Sequence, residues 1–546
     1  MLKEKTLFIF GAGFSANLEL PTTSELDKII SILCESGSSI EERINKIKKE
    51  KFKIDKIFEE DLKNTLTILF DDNNKTEKEA REEREKAIDS YIKIFKSSYP
   101  EVHEHYLRNR LEYDILSEID WIAFKSIYSL FANEKNYNLV DILTIIQKAI
   151  NDNISIPTKD IFKIENAQTY YKTPVRLIGA LNAYKYLIYK LFKNFLRINR
   201  EKIRSQKETY YNFFEDLIEE YVIENVYFLE KNKIIKKNFY LSNLGFLTFN
   251  WDPILPFLVM KTNQILNKKL LNQGNKNDPK LRLYVDFGFP FPMRKFSTNS
   301  ILFSFSEETV FNVNLLTNDH PYSSRIISKT MKLFIPHGLV NMRICPRCQT
   351  PFIFWVKDIS KIEFEDLFLL FLPDPIPNKE DLKLSKDYEI IRVSYKDGRP
   401  DKLLCPLCEH DTYFHHSFME IQSILKPRVN FLLNKIYFEY ANFFGTSQHI
   451  ISVGYSFPKD DLINNYHLKI MSIQEGELKK PKITAILYDK DLQNKIWYKD
   501  PKEIKTSNEY ILNTINSIKA LSQEFRVSFL GFPNDKIKLE DLLNFQ

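Results

Sequence analysis

Two Cys-x-x-Cys pairs, Cys345/Cys348 and Cys405/Cys408, contain four of the five cysteines in a chain of 546 residues. Thiolates at this spacing fold into knuckles, and two knuckles complete a tetrahedral zinc shell. Four sulfur ligands leave no open coordination position, so the expected zinc is structural. His410, His415 and His416 are competing candidates, but the thiolates suffice; Cys34 reads as a buried helix residue. A second chemical feature lies at the N-terminus. The apolar run Leu7–Phe10 ends in Gly11-Ala12-Gly13-Phe14-Ser15-Ala16 and then a helical pattern, with Leu26, Ile29, Ile30 and Leu33 on one face. Two glycines let backbone N–H groups approach a phosphate with no Cβ in the way, and a helix start adds partial positive charge. The same pattern fits the G-x-G-x-x-G/A fingerprint of ordinary dinucleotide folds, which pairs it with an acid about twenty positions on. Glu35 is near that distance but stands in a helical segment. A tight strand-to-helix turn with no ligand is the plain alternative.

Three further polar segments follow apolar runs: Thr248-Phe249-Asn250-Trp251-Asp252, Pro336-His337-Gly338, and Val453-Gly454-Tyr455-Ser456-Phe457-Pro458-Lys459-Asp460-Asp461. A carboxamide such as that of Asn250 supplies both a donor and an acceptor, suited to fixing ribose hydroxyls or a water. An imidazole such as that of His337 takes up a proton near neutral pH. Asp252 could hold its turn or pair with His337. Gly454 and Ser456 are candidates to touch cofactor phosphates or ribose. Asp489, ending the next strand, is a candidate for a second ribose. Taken singly, each of these residues also reads as an ordinary turn residue.

Positioning these segments requires strands whose ends meet. Strand patterns cover Leu7–Phe10, Phe246–Phe249, Leu281–Phe287 before a Gly288-Phe289-Pro290 turn, Leu333–Ile335, His449–Val453, Ile483–Tyr488 and Phe525–Leu530. A long amphipathic helix is expected over Val429–Phe444. Strands alternating with helices predict an α/β fold with a Rossmann-like open parallel sheet. Residues 31–239 read as a large helical insertion and 340–416 as a zinc-ribbon-containing insertion. Residues 1–30 and 240–546 then form the nucleotide-binding domain. Open sheets of this kind bind ligands at the carboxyl ends of their strands, where all four segments fall.

Composition excludes other classes. Hydrophobic residues make up 43% and aromatics 14%, with only 13 glycines, so the chain is not disordered or of low complexity. A net charge of +5 is too small to argue for nucleic acid by itself. The basic run Lys190, Lys193, Arg197, Arg200, Lys202, Arg204 and Lys207 reads as a solvated helix face, with contact to nucleic acid or a protein as the alternative. No apolar run is long enough to cross a bilayer. Lys3 and Lys5 precede an apolar stretch as in a secretion signal, but Glu4 interrupts them and the stretch serves better as a first strand. The expectation is a cytoplasmic protein.

Taken together and in this order, the motifs resemble those of the silent information regulator (sirtuin) superfamily. Gly11-Ala12-Gly13-Phe14-Ser15 matches its NAD signature, with Pro21 at the distance of a family proline. Thr248-Phe249-Asn250-Trp251-Asp252 resembles its T-x-N-x-D segment, His337-Gly338 its His-Gly pair, and the cysteine pairs its zinc ribbon. Leu425-Lys426-Pro427 resembles the segment after the ribbon. The resemblance spans roughly residues 5–30 and 244–490; the helical block matches nothing in the family. It implies NAD as substrate, a structural zinc, and leading catalytic roles for Asn250 and His337. The departures are Thr22, Thr23 and Ser24 after the proline, Asn430-Phe431-Leu432-Leu433 in place of Phe-Gly-Glu, and Gly454-Tyr455-Ser456-Phe457-Pro458 in place of the second peptide loop. With that acyl-peptide clamp replaced, the pattern is similar to the bacterial branch of NAD-hydrolysing anti-phage defence effectors. A homo-oligomer or partner protein controlling activity is then expected. An NAD-dependent protein deacylase and a non-catalytic module binding ADP-ribose are the alternatives.

Overall fold

The computed structural model describes residues 4–35, 37–50, 52–69, 76–132, 137–159, 169–223, 243–272, 280–287, 293–295, 301–302, 326–355, 362–371, 373–387, 389–420, 431–457, 473–474, 477–478 and 480–545. The Gly288-Phe289-Pro290 turn, Leu425-Lys426-Pro427, Asn430 and Pro458-Lys459-Asp460-Asp461 lie outside the described residues.

Seven strands form one wholly parallel sheet: β1 (Thr6–Phe10), β2 (Leu244–Thr248), β3 (Lys280–Asp286), β4 (Ile326–Phe334), β5 (His449–Val453), β6 (Lys482–Ile486) and β7 (Glu524–Ser528). Their order across the sheet is β7-β6-β5-β1-β2-β4-β3. This is the expected Rossmann-like α/β architecture. The order reverses between β1 and β5, which creates a crevice at their carboxyl ends. Register sharpens it. Phe10 lies opposite both Thr248 and Val453, and Val453 lies opposite Ile486, so four strand ends stand in one row.

The central strand β1 is apolar from Leu7 to Phe10 because both faces of the sheet are covered there. Phe8 and Phe10 point into the larger core and meet Phe213 and Phe214 of the helical block. Leu7 and Ile9 point the other way, into a core with Tyr440, Phe443, Ile515 and Ile518. The helices that matter for the site are α1 (Ala12–Ala16), α2 (Thr23–Cys34), α3 (Lys56–Ile68), α4 (Trp121–Ala132), α5 (Pro174–Ile198), α6 (Arg200–Ile218), α7 (Ile254–Asn272), α8 (Phe431–Gly445) and α9 (Glu509–Leu521). The boundary expected at residue 30 falls inside α2, whose Leu26, Ile29, Ile30 and Leu33 are buried as expected. The block beyond it is helical but also contains an antiparallel hairpin, Ile156–Lys159 with Thr169–Lys172. Apolar residues at roughly helical spacing from Ile44 to Leu62 fall on two helices, Ile40–Lys49 and α3, because Asp55 caps α3 by accepting the Phe58 N–H at 2.7 Å.

The basic run is a solvated face only at its far end, where Arg200, Lys202 and Arg204 are exposed. Lys190 and Lys193 on α5 keep side chains only 1% and 4% exposed. Lys190 pairs with Asp61 at 3.0 Å and Asp374 at 2.9 Å; Lys193 pairs with Asp374 at 2.9 Å and also with Asp381. Arg197, Arg200, Arg204 and Lys207 pair outward with Asp55, Asp366, Glu365 and Glu363. Its ion pairs to Asp374, Asp381, Asp366, Glu365 and Glu363 dock the helical block onto the segment around residues 363–381. Among the described residues, no helix is long and apolar enough to cross a membrane.

Candidate functional site

The loops after β1 and β5 touch through glycines. A Cβ on Gly13 would sit 2.8 Å from the Gly454 Cα, and one on Gly11 would stand 2.6 Å from the Tyr455 Cα. Gly454 itself has φ +64, a left-handed conformation that a side chain disfavours. The Gly11 N–H donates to the Val453 carbonyl and the Gly13 N–H to the Gly454 carbonyl, both at 3.0 Å. These two amides therefore hold the two loops together. The amide expected to meet a phosphate is, at both glycines, engaged with backbone. Ala12 lies half-buried at the first position of α1. The Phe14 ring turns inward onto Phe10, Tyr210 and Phe532.

Asn250 comes off β2 directly beside this junction. Its Nδ2 donates to the Gly11 carbonyl at 3.0 Å and lies 3.4 Å from Ser15 Oγ. Its backbone N–H is held by Thr248 Oγ1 at 3.0 Å. The carboxamide expected to act on a sugar is thus fixed to the glycine turn, half-buried. Asp252 takes the turn-holding role. It is 3% exposed, accepts the Ser15 hydroxyl at 3.0 Å through Oδ2, and accepts the Ile254 N–H at 3.1 Å through Oδ1 at the start of α7. Burial pushes its carboxyl up to about 6, only partly opposed by the Ile254, Ser15 and Asn250 donors.

His337 stands on the loop after β4, the neighbour of β2. Its Nδ1 is 3.3 Å from the Phe249 carbonyl, so the sequence residue beside Asn250 orients the imidazole. The Phe249 ring lies between two others, with centroids 4.9 Å from His337 and 4.9 Å from Tyr455. An aromatic row therefore runs across the loops after β4, β2 and β5. The acid facing His337 is Glu420 rather than Asp252, with Oε2 3.7 Å from Nε2. Sequence reading missed Glu420. The only signal was its place after a short run, Ser417-Phe418-Met419, which pairs with the strand that His337-Gly338 begins. Gly338 has φ +69 and packs against the Phe418 carbonyl, leaving no room for a side chain.

The outlying residues fall in three places. Thr248 is buried and caps the Asn250 turn, and Pro21 is buried ahead of α2. Ser456 is half-buried between Tyr455 and Phe457 in the loop after β5. Asp489 follows β6 as expected, but its carboxylate accepts the Asp491 N–H at 2.8 Å and caps its own turn. Glu35 closes α2 and pairs with Lys46, away from any strand end.

The four cysteines converge, with Cys345 Sγ 3.5 Å from Cys408 Sγ and Cys348 Sγ 3.6 Å from Cys405 Sγ. All four sulfurs lie within 4.8 Å of one another. A tetrahedron of sulfurs about 2.3 Å from zinc has edges of about 3.8 Å, so the donor set fits. The two knuckles share one build: Gln349 and Glu409, next after the second cysteine of each pair, have φ +57 and +58 and return their N–H groups to the Cys345 and Cys405 carbonyls. Two of the competing histidines are engaged elsewhere. His415 faces Glu118 at 2.7 Å and His416 Nδ1 accepts the Tyr413 N–H at 3.0 Å. The cluster can hold a structural metal ion. Cys34 is buried in α2 as expected.

Comparison with known proteins adds no family assignment: no protein-family model matches the chain, and no curated protein sequence matches it either.

Proposed function

We propose that the protein is an NAD+ hydrolase, cleaving the nicotinamide–ribose bond to release nicotinamide and ADP-ribose. The carrying observation is that Asn250, tied to the Gly11 carbonyl, and His337, tied to the Phe249 carbonyl, come from adjacent strand ends beside the β1/β5 switch point. The order of the sirtuin-like motifs supports the same reading. Cleavage builds an oxocarbenium-like centre and needs an oriented water that loses its proton. Asn250 would orient the ribose hydroxyls or that water, and His337 would take the proton at Nε2. General-base help of this kind contributes about 10²–10⁴-fold. Asp252 and Ser15 would hold the Asn250 turn against α1. The loops bearing Gly454 and Ser456 would face the rest of the dinucleotide.

The metal of the four-cysteine cluster is, in this reading, a structural zinc, far from any chemical step. The setting is cytoplasmic, and the biological role is that of a bacterial anti-phage effector depleting NAD under control of an oligomer or partner. The test is purified protein incubated with NAD and resolved by chromatography, with and without an acylated peptide. Peptide-independent nicotinamide release, lost about 100-fold or more in Asn250→Ala and His337→Ala, is the expected result. Nicotinamide release only with acyl peptide would instead identify a deacylase. Tight ADP-ribose binding with no cleavage in any assembly would identify a binding module.

A further inference from the structure

The main chain of Glu420 is pinned on both sides to the candidate site. Its N–H donates to the His337 carbonyl at 2.8 Å, and its carbonyl accepts the Trp251 indole N–H at 2.9 Å. Its carboxylate is held in turn, since the Tyr437 hydroxyl of α8 donates to Oε2 at 2.7 Å. That same oxygen stands 3.7 Å from His337 Nε2, with both side chains nearly buried at 12% and 11% exposure. On the far side of the ring, Nδ1 meets a carbonyl, which accepts only, so Nδ1 carries the proton. Nε2 is then the basic nitrogen, and it faces a carboxylate. At 3.7 Å the contact is too long for a direct hydrogen bond yet well within reach of charge.

We propose that Glu420 is the positioning carboxylate of His337, delivered to the imidazole by the strand that leaves the second cysteine knuckle. This rests on the reading of His337 as general base. When Nε2 takes a proton from water, the ring becomes a cation and the nearby carboxylate stabilises it. Ser417–Met419 connects the two features, because it pairs with Gly338–Ile344, whose far end carries Cys345. The knuckles therefore set the register of Glu420 against His337, which gives the structural metal a line to the site without touching it.

Other groups meet the pair. Lys185 of α5 feels the Glu420 charge, which opposes a burial effect that lowers the ammonium to about 8. Tyr437 donates to the carboxylate, and Asp252 is turned to Ser15. Phe249 covers the imidazole with an apolar ring.

Two measurements test the proposal on the full-length protein. In the first, histidine carrying a labelled Cε1 is followed by NMR titration, with the His337 signal assigned from the spectrum of His337→Asn. Glu420→Gln is expected to lower the His337 midpoint by about one pH unit or more, and Glu420→Asp to bring it back toward wild type. An unchanged midpoint in Glu420→Gln overturns the proposal. In the second, the pH profile of NAD cleavage is recorded. The rate needs neutral His337, so its acid limb follows the His337 midpoint and moves to lower pH in Glu420→Gln. A uniform loss of rate at every pH, with the limb unmoved, overturns it as well. If no preparation cleaves NAD, the NAD reading fails, while the titration still decides whether Glu420 governs His337.

Discussion

Asp252 and Asp374 are both carboxylates removed from water, and their environments push them in opposite directions. Asp374 is 0% exposed beneath α5, where Lys190 and Lys193 outweigh the cost of burial and hold its carboxyl below the ordinary range. Asp252 is nearly as buried beside the glycine turn, but only neutral donors reach it, and burial wins. The first cluster contains two cations and three carboxylates, so its charges nearly cancel. The second leaves one acid without a countercharge. A buried charge that is matched locks two parts of a protein together; one that is unmatched stays ready to change protonation. The docking interface and the candidate site use the same residue type for these two ends.

The contrast can be broken from either side. Asp374→Ala removes the shared partner of two buried ammonium groups and is expected to cost about 3–5 kcal/mol, seen as a shifted urea midpoint. A loss below about 1 kcal/mol would mean that the network is not what joins the helical block to its neighbour. Gly454→Ala changes no charge. It forces a side chain into the left-handed backbone between the two loops and should cost about 1–3 kcal/mol, with further displacement of Gly13. Calorimetric melting at one pH measures it.

Asp252→Asn should have the smallest effect on stability near neutral pH, within about 1 kcal/mol, because an amide can still accept the Ile254 N–H. Its signature is the pH dependence. Asp252 rises from its ordinary 3.8 to about 6 on folding. The stability it contributes is present below about pH 4 and is lost as pH rises through about 6, amounting to about 3 kcal/mol at most. In the Asp252→Asn variant that part of the slope vanishes, so stability curves of wild type and variant should approach or cross between about pH 4 and about pH 6. Parallel curves across that range would show that Asp252 has its ordinary carboxyl after all.

Much of this architecture is legible in the sequence. Leu7–Phe10 is an unbroken apolar run and His449–Val453 and Ile483–Leu487 are mostly apolar, which suits strands covered on both faces, and their order predicts the parallel sheet. The cysteine spacing predicts the knuckles because each is set by two thiols only three residues apart. Lys190 and Lys193 misled because a lysine three residues from another looks solvated unless its partners are visible. Asp61, Asp374 and Asp381 are each more than a hundred residues away. Glu420 was illegible for a related reason. A carboxylate after a three-residue strand carries no local pattern, and its meaning comes wholly from a histidine on another loop. The glycine turn reads as an approach to a phosphate, but what approaches Gly11 and Gly13 here is the backbone of the loop after β5.

The middle strand of the large sheet is the earliest to leave the ribosome, and both of its neighbours, β2 and β5, are encoded hundreds of residues later. Until Val453 and Gly454 have been synthesised, Gly11 and Gly13 lack the carbonyls that set their loop. A nascent or truncated N-terminal piece therefore cannot assemble the crevice.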